Sequence, residues 1–227
     1  MDALASIADL GTRVIVPLHA VADNWRDPGQ FRIDDAELSR VRAQLGNCDQ
    51  PVVCFIANLG YEPQIPQLIE VHRRSPDSHL ILAGDGPCRE IASRAASENA
   101  NISYLRSVSP GLIPLYMAAS DVLLYGFDRA NPNARFSAPN KLFETLDAGK
   151  LVITGDFGEI GKTVSRERCG VVVRDYSVEE ITSALKILRN SDASRMSITA
   201  KTLTEPKYNW LSASDILLAA CADLSRG

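Results

Sequence analysis

The chain has 227 residues, 45% hydrophobic and 23% charged, a globular composition with room for one large domain or two small ones. Its formal net charge is −4 and aromatics make up 6%, which excludes a global basic field and a base-stacking surface for nucleic acid. No apolar run approaches the ~20 residues of a transmembrane helix, and the opening "MDALASIADLG" lacks the basic n-region of a signal peptide.

Residues 1–50 hold a short helix-like piece, the run "RVIVP" (13–17), a Pro/Gly/Asp-rich stretch, and then "DDAELSRVRAQLG" (34–46), which reads as a helix. Six apolar runs follow: "VVCFIA" (52–57), "HLILAG" (79–84), "ISYL" (102–105), "DVLLYG" (121–126), "LVIT" (151–154) and "GVVVR" (170–174). Most are continuous rather than alternating, as strands buried on both faces are. Helical patterns lie between them. Ile65, Leu68, Ile69 and His72 share one face, and residues 88–97, 111–119 and 140–148 are further helices. Ser177 and Glu180 form a capping box before Ile181, Ala184, Leu185 and Leu188. This alternation over residues 51–190 predicts an α/β fold, a Rossmann-like doubly wound parallel sheet of about six strands that binds ligand at the strands' carboxyl ends. The last stretch, "YNWLSASDILLAACADL", reads as an amphipathic helix with Ile216, Leu217, Ala220 and Leu224 on one side. The expected division is 1–50 as an amino-terminal arm, 51–206 as the Rossmann-like domain and 207–227 as a terminal helix.

The five cysteines (Cys48, Cys54, Cys88, Cys169, Cys221) form no CxxC and no zinc spacing, so they read as reduced, mostly structural thiols in a cytosolic protein. His19, His72 and His79 are isolated, which argues against a histidine metal site. The sequon at Asn101 has no meaning in that compartment.

The stretch "RFSAPNKLFETLDAGK" (135–150) carries the most chemistry. Ser137 is placed to cap a helix, Pro139 suits its first turn, and Gly149 closes it. Asn140, Lys141 and Glu144 share one face near the helix start, opposite Leu142, Phe143 and Leu146. A helix start with outward N–H groups, a cation and a carboxylate is suited to an anion. Taken alone, Glu144 could equally be a solvated partner of its neighbours, and Lys141, Arg106 and Arg135 ordinary surface cations.

Two glycine motifs do not match phosphate fingerprints. "GEIGKT" (158–163) lacks the glycine five residues before Gly161, where Asp156 stands, so it is not a Walker loop. "GDGP" (84–87) is not GxGxxG, because position 89 is Arg. It is a tight strand-to-helix turn or a turn lining a ligand cleft.

Taken in order, "FIANLG" (55–60), "LILAGDGP" (80–87), "LIPLYMAASDVLLYG" (112–126), "SAPNKLFETLDAGKLVI" (137–153) and "CGVVV" (169–173) resemble the carboxyl-terminal half of GT-B glycosyltransferases. The subset most like this chain is the retaining family-4 (group 1) type that builds bacterial surface polysaccharides. "VIVPLHAVADNW" (14–25) resembles the stretch leaving the amino-terminal domain, and Trp210 with the helix after it resembles the segment that crosses back. The resemblance implies a nucleotide-sugar donor domain. Glu144 falls on the carboxylate that grips the ribose hydroxyls. Ser137, Ala138, Pro139, Asn140 and Lys141 fall on the helix start facing the diphosphate. Asn58, Leu59 and Gly60 fall on the loop approaching the phosphates, and Gly84 on the turn beside it. Arg106, Ser107 and Val108 fall on the loop bordering the base, and Gly158 and Glu159 on a loop near the donor cleft.

Some positions depart from the family pattern. The Arg and Lys that many members carry in the first loop are replaced by Asn58 and the stretch "YEPQ", leaving Lys141 and then Arg135 as the catalytic cations. The acid that often stands eight residues before the ribose-binding one is here Phe136. The resemblance implies no metal and no cofactor, the nucleoside-diphosphate sugar being substrate, with UDP ahead of GDP. Only 50 residues precede the first strand, too few for a second βαβ domain. The chain is therefore expected to work with an amino-terminal acceptor-binding half, through which membrane association would arise. A non-catalytic partner or scaffold subunit of the same fold is the competing reading, and nucleotide binding by Glu144 and Lys141 discriminates the two. A sugar-nucleotide epimerase would need proton-transfer carboxylates and histidines in the cleft, and no such set is present.

Overall fold

The structure, a computed structural model, describes residues 34–45, 50–60, 64–126, 129–130, 132–137, 139–189, 192–204 and 207–224. The stretch 14–25, His19, Cys48, Tyr61 to Pro63 and Ala138 lie outside the described residues.

The six apolar runs are six parallel strands: β1 (Val52–Ile56), β2 (His79–Ala83), β3 (Ile102–Leu105), β4 (Val122–Tyr125), β5 (Leu151–Gly155) and β6 (Gly170–Val173). Their order is β3-β2-β1-β4-β5-β6. β1, β2 and β5 are buried at every residue, as continuous apolar runs require. Alternate residues of β1 serve two cores. Val53 and Phe55 pack with Leu80, Leu82 and Leu124 on one face, while Val52, Cys54 and Ile56 face the other.

Among the described residues nine α-helices flank the sheet: α1 (Asp35–Gln44), α2 (Gln64–Arg74), α3 (Arg89–Glu98), α4 (Ile113–Ala119), α5 (Asn140–Asp147), α6 (Gly158–Glu167), α7 (Val178–Ile187), α8 (Asp192–Thr204) and α9 (Trp210–Leu224). Ile65, Leu68 and Ile69 of α2, Ala92 and Ala95 of α3, and Ile181, Ala184 and Leu185 of α7 close the first core. Val41 of α1 and Leu115 and Met117 of α4 close the second. α1 is anchored by its own cap, Asp34 accepting from Ala36 N, and by Arg42, which donates to both oxygens of Asp121 at 2.6 and 3.2 Å.

The capping box at Ser177 is half formed. Ser177 Oγ accepts from Glu180 N, but the Glu180 carboxylate turns to the Arg174 backbone N–H and guanidinium instead. Asn101, the formal sequon, donates its amide to the His72 and Ser78 carbonyls and so pins the loop before β2. Cys54, Cys88 and Cys169 are buried and Cys221 is exposed. Of the apolar face expected on the terminal helix, the described Ile216 side chain is exposed. No helix among the described residues is long and apolar enough to cross a membrane.

Two helices were not legible in advance. Residues 158–163 are not a loop: Gly158 and Glu159 open α6, which buries Ile160, Gly161, Thr163 and Val164 at helical spacing. α8 packs on α5, and its Ala200 joins Leu142, Phe143 and Leu146 in a third core that also takes in Tyr208.

Candidate functional site

The strand order places a topological switch point between β1 and β4, whose onward connections leave in opposite directions. The crevice outside the carboxyl ends of such a pair is where open α/β sheets bind ligands. α5 is delivered there by a 3₁₀ turn at Pro132–Arg135.

α5 starts two residues later than capping by Ser137 predicts. Pro139 is the N-cap residue, extended at φ −70° and ψ 139°, with no side-chain cap bond. Proline fixes φ and ends the preceding extended segment, which leaves Ser137 too far back to act as cap. Gly149 does close the helix, at φ +66°, a left-handed conformation that costs glycine little.

The two faces of α5 divide as the sequence indicates. Leu142, Phe143, Thr145 and Leu146 are buried, with the Phe143 ring 5.2 Å from that of Tyr208. Pro139, Asn140, Lys141 and Glu144 line a cavity of about 360 Å³, a volume suited to a small molecule. Its opposite wall is Pro110, Ile113 and Tyr125, from the turn before α4, from α4 itself and from the end of β4. Lys141 Nζ donates to the carbonyl of Ile56, the last residue of β1, at 2.5 Å. Burial draws the Lys141 pKa below the usual lysine range, with Glu144 and the Cys54 thiol acting in the opposite direction. Cys54 itself is pushed up to about 12 by burial, so it is an inert thiol.

The loops after β1 and β2, with Asn58, Leu59, Gly60 and Gly84, lie at the carboxyl edge of the sheet outside the cavity's lining, interlocked by backbone bonds. Leu59 N donates to Asp85 O at 3.0 Å, and Cys88 N to Leu59 O at 2.9 Å. The close approach requires glycine. At Gly84 (φ +135°) a Cβ would meet Ala57 O at 1.9 Å, and at Gly86 (φ +154°) it would meet Asn58 Oδ1 at 2.6 Å. "GDGP" is thus a tight turn at the carboxyl edge of the sheet. Asn58 and Gly60 are exposed there, whereas the Leu59 side chain is wholly buried and its amide already bonded. Leu59 is therefore a core-packing residue whose amide is already taken and is not open to a phosphate.

The remaining predicted positions spread around this rim. Arg106 lies 3.5 Å from Asp85, both exposed; Ser107 is exposed, and Val108 packs on the α1–α4 core. None of the three lines the cavity. Glu159 pairs with Lys162 at 2.9 Å on the first turn of α6. Gly158 (φ +67°) lets α6 close on the 3₁₀ turn, since a Cβ there would meet the Ala134 and Arg135 carbonyls at 2.7 and 2.9 Å. Arg135 is exposed, its guanidinium 5.8 Å from the centre of the Phe136 ring.

Sequence reading missed the wall of Pro110, Ile113 and Tyr125. The position of Tyr125 at the end of the switch-point strand was the available signal. Its carbonyl accepts from Thr154 Oγ1 and the Tyr176 hydroxyl, which fixes the strand end. A larger cavity of about 980 Å³ opens at the opposite, amino edge of the sheet, among Arg42, Asp121, Lys150, Leu188 and Ser197. It holds none of the predicted site residues. Among the described residues no group of three or more His, Cys, Asp or Glu could hold a metal ion.

The chain is 28% identical over 167 residues to the GDP-mannose-dependent alpha-(1-6)-phosphatidylinositol monomannoside mannosyltransferase of Mycolicibacterium smegmatis, covering 70% of this chain and 44% of that protein. It is 24% identical over 201 residues to the alpha-D-kanosaminyltransferase of Streptomyces kanamyceticus, covering 83% of this chain and 50% of that protein. The chain thus spans about half the length of the curated relatives it matches. Its fold is that of Anabaena Alr3699/HepE in complex with UDP-glucose, with a TM-score of 0.66 at 18% identity over 86% of this chain and 54% of that one. Residues 50–191, the sheet and the cavity together, match the family described as glycosyl transferases group 1, and the chain belongs to that family.

Proposed function

We propose that this chain holds the nucleoside-diphosphate sugar of a glycosyltransferase, with the diphosphate at the start of α5. The observation that carries the reading is the cavity at the switch point, where Lys141 and Glu144 stand on one face of one helix. An ammonium has three donors. The one given to Ile56 O leaves two for phosphate oxygens. Glu144 accepts from two adjacent ribose hydroxyls. As the bond between the sugar's anomeric carbon and the diphosphate oxygen breaks, negative charge gathers on the leaving nucleotide. The α5 amino terminus and Lys141, partly withdrawn from water, stabilise that charge more in the transition state than in the ground state. The acceptor hydroxyl, saccharide or lipid-linked, attacks from a facing amino-terminal half, and its proton passes to the departing diphosphate oxygen.

UDP and GDP are the two nucleotides to test. The resemblance puts UDP first, and the mannosyltransferase relatives are named for GDP-mannose. Calorimetric titration of the chain with each, beside Glu144→Ala, is the experiment. Binding of one nucleotide, weakened at least tenfold (about 1.4 kcal/mol) by the substitution, supports a donor site. Absence of binding to either, with or without an added amino-terminal half, would mean a scaffold instead.

A further inference from the structure

We propose that the cavity at the amino edge of the sheet is a second ligand site, built for a small amphipathic molecule with an anionic head on an apolar body. Its volume is about 980 Å³, at the upper end of the roughly 300–1,000 Å³ range of small-molecule pockets. It is separate from the donor cavity. Val122, which begins β4, lines it, whereas Tyr125, which ends β4, lines the donor cavity. α5 likewise has its first turn at the donor cavity and its closing Gly149 here.

The fold supplies the apolar part of the lining. Val122 and Leu151 begin neighbouring strands, and Leu185 and Leu188 come from α7; all four are buried. Ile198 of α8 also lines the cavity, yet it is 66% exposed, an apolar side chain left in water. The charges decide the sign of the ligand. Two carboxylates line the cavity, and each is already spent on an arginine. Asp121 accepts from Arg42 through both oxygens and from Val52 N, and Asp77 accepts from Arg189. Lys150 is the cation left over: among the described residues its ammonium makes no hydrogen bond and no ion pair. It is nonetheless half-buried in the cavity wall. Burial draws its pKa below the usual lysine range, with Asp121 opposing and Arg42 adding to the effect. A charge withdrawn from water without a counter-ion is costly. A carboxylate or a phosphate monoester supplies that counter-ion, and an alkyl body displaces water from the buried leucines and from Ile198. A cationic head would meet Lys150 as a like charge, and a neutral one would leave it unpaired.

Calorimetric titration of the full chain with decanoate and with decyl phosphate, below their micelle concentrations, is the test. Decanol and inorganic phosphate supply the body and the head alone. At least one of the two amphiphiles is expected to bind at a single site, at least fivefold more tightly than either control. The tighter of the two distinguishes a carboxylate head from a phosphate head. Lys150→Met should weaken binding at least fivefold. Ile198→Asp, which places a like charge beside the head, should do the same; Ile198 is exposed, so this second variant reads the site even if Lys150→Met loses stability. Lys186→Met, at an exposed lysine of α7 outside the lining, should change the affinity less than twofold. Saturating UDP or GDP should not displace the amphiphile. Binding of neither amphiphile, decanol binding as tightly, unchanged affinity in both site variants, or displacement by a nucleotide would each overturn the proposal.

Discussion

The Lys141 ammonium and the Ile56 carbonyl meet at 2.5 Å across 85 residues of sequence. This one bond ties the start of α5 to the end of β1 and orients the cation over the switch point. Lys141→Met keeps the length of the side chain and removes the charge. It should weaken binding of the cognate nucleoside diphosphate at least tenfold and leave binding of the free nucleoside unchanged. Titration with both ligands checks this. An equal loss for the two would make Lys141 a wall residue rather than a diphosphate contact.

The turn after β2 should not tolerate a methyl group. Gly84 has φ +135°, and a Cβ there would stand 1.9 Å from the Ala57 carbonyl oxygen. Backbone must move on both strands to make room. Gly84→Ala is expected to destabilise the fold by about 3 kcal/mol, read as a shift in urea midpoint. Gly111→Ala, where nothing lies within 4 Å, is the control and should change the midpoint little.

His72 gives the fold an acid-sensitive point. Burial lowers its pKa from 6.5 to about 4; the bond to the Leu68 carbonyl opposes this, and His79 and Arg189 lower it further. Its Nδ1 is 2.8 Å from that carbonyl, and its Nε2 has no hydrogen-bond partner. The folded state thus binds a proton less readily than the unfolded chain. The contribution to stability is whole above pH 6.5 and is lost as pH falls from 6.5 to about 4. At ~1.4 kcal/mol per unit it amounts to about 3 kcal/mol. Urea midpoints at pH 7 and pH 4.5 should differ less in His72→Leu than in wild type.

Glu167 acts in a lower window. Burial raises its pKa, but Lys207, Arg166 and Tyr208 all donate to the carboxylate and hold it at about 2, below the usual 4.5. Stability from this network is present above pH 4.5 and is lost as pH falls toward about 2. Glu167→Gln should cost roughly 1–3 kcal/mol at neutral pH, and the difference from wild type should shrink in acid. Melting curves at pH 7 and pH 3 test this.

The sheet was legible because parallel strands buried on both faces leave long apolar runs, which β1, β2 and β5 show plainly. The polar face of α5 was legible because Asn140, Lys141 and Glu144 recur at helical spacing. α6 was hidden by its glycines: Gly158 and Gly161 drew attention to phosphate loops, yet both serve close packing, Gly161 against the Gly155 carbonyl. α8 carries Ser, Thr and Ile in place of a clear stripe, so only its contact with α5 reveals it. The far wall of the cavity was not legible either. Pro110, Ile113 and Tyr125 are apolar or aromatic residues whose role comes from the meeting of two distant segments. No local pattern records that meeting.

The pairing of β1 with β4 brings Val52 N onto Asp121 across 69 residues, and α5 follows later still. The cavity has two walls only where residues 110–125 meet the start of α5. A ligand held between them has no counterpart site in the unfolded chain, so it would raise the melting temperature in step with the logarithm of its concentration.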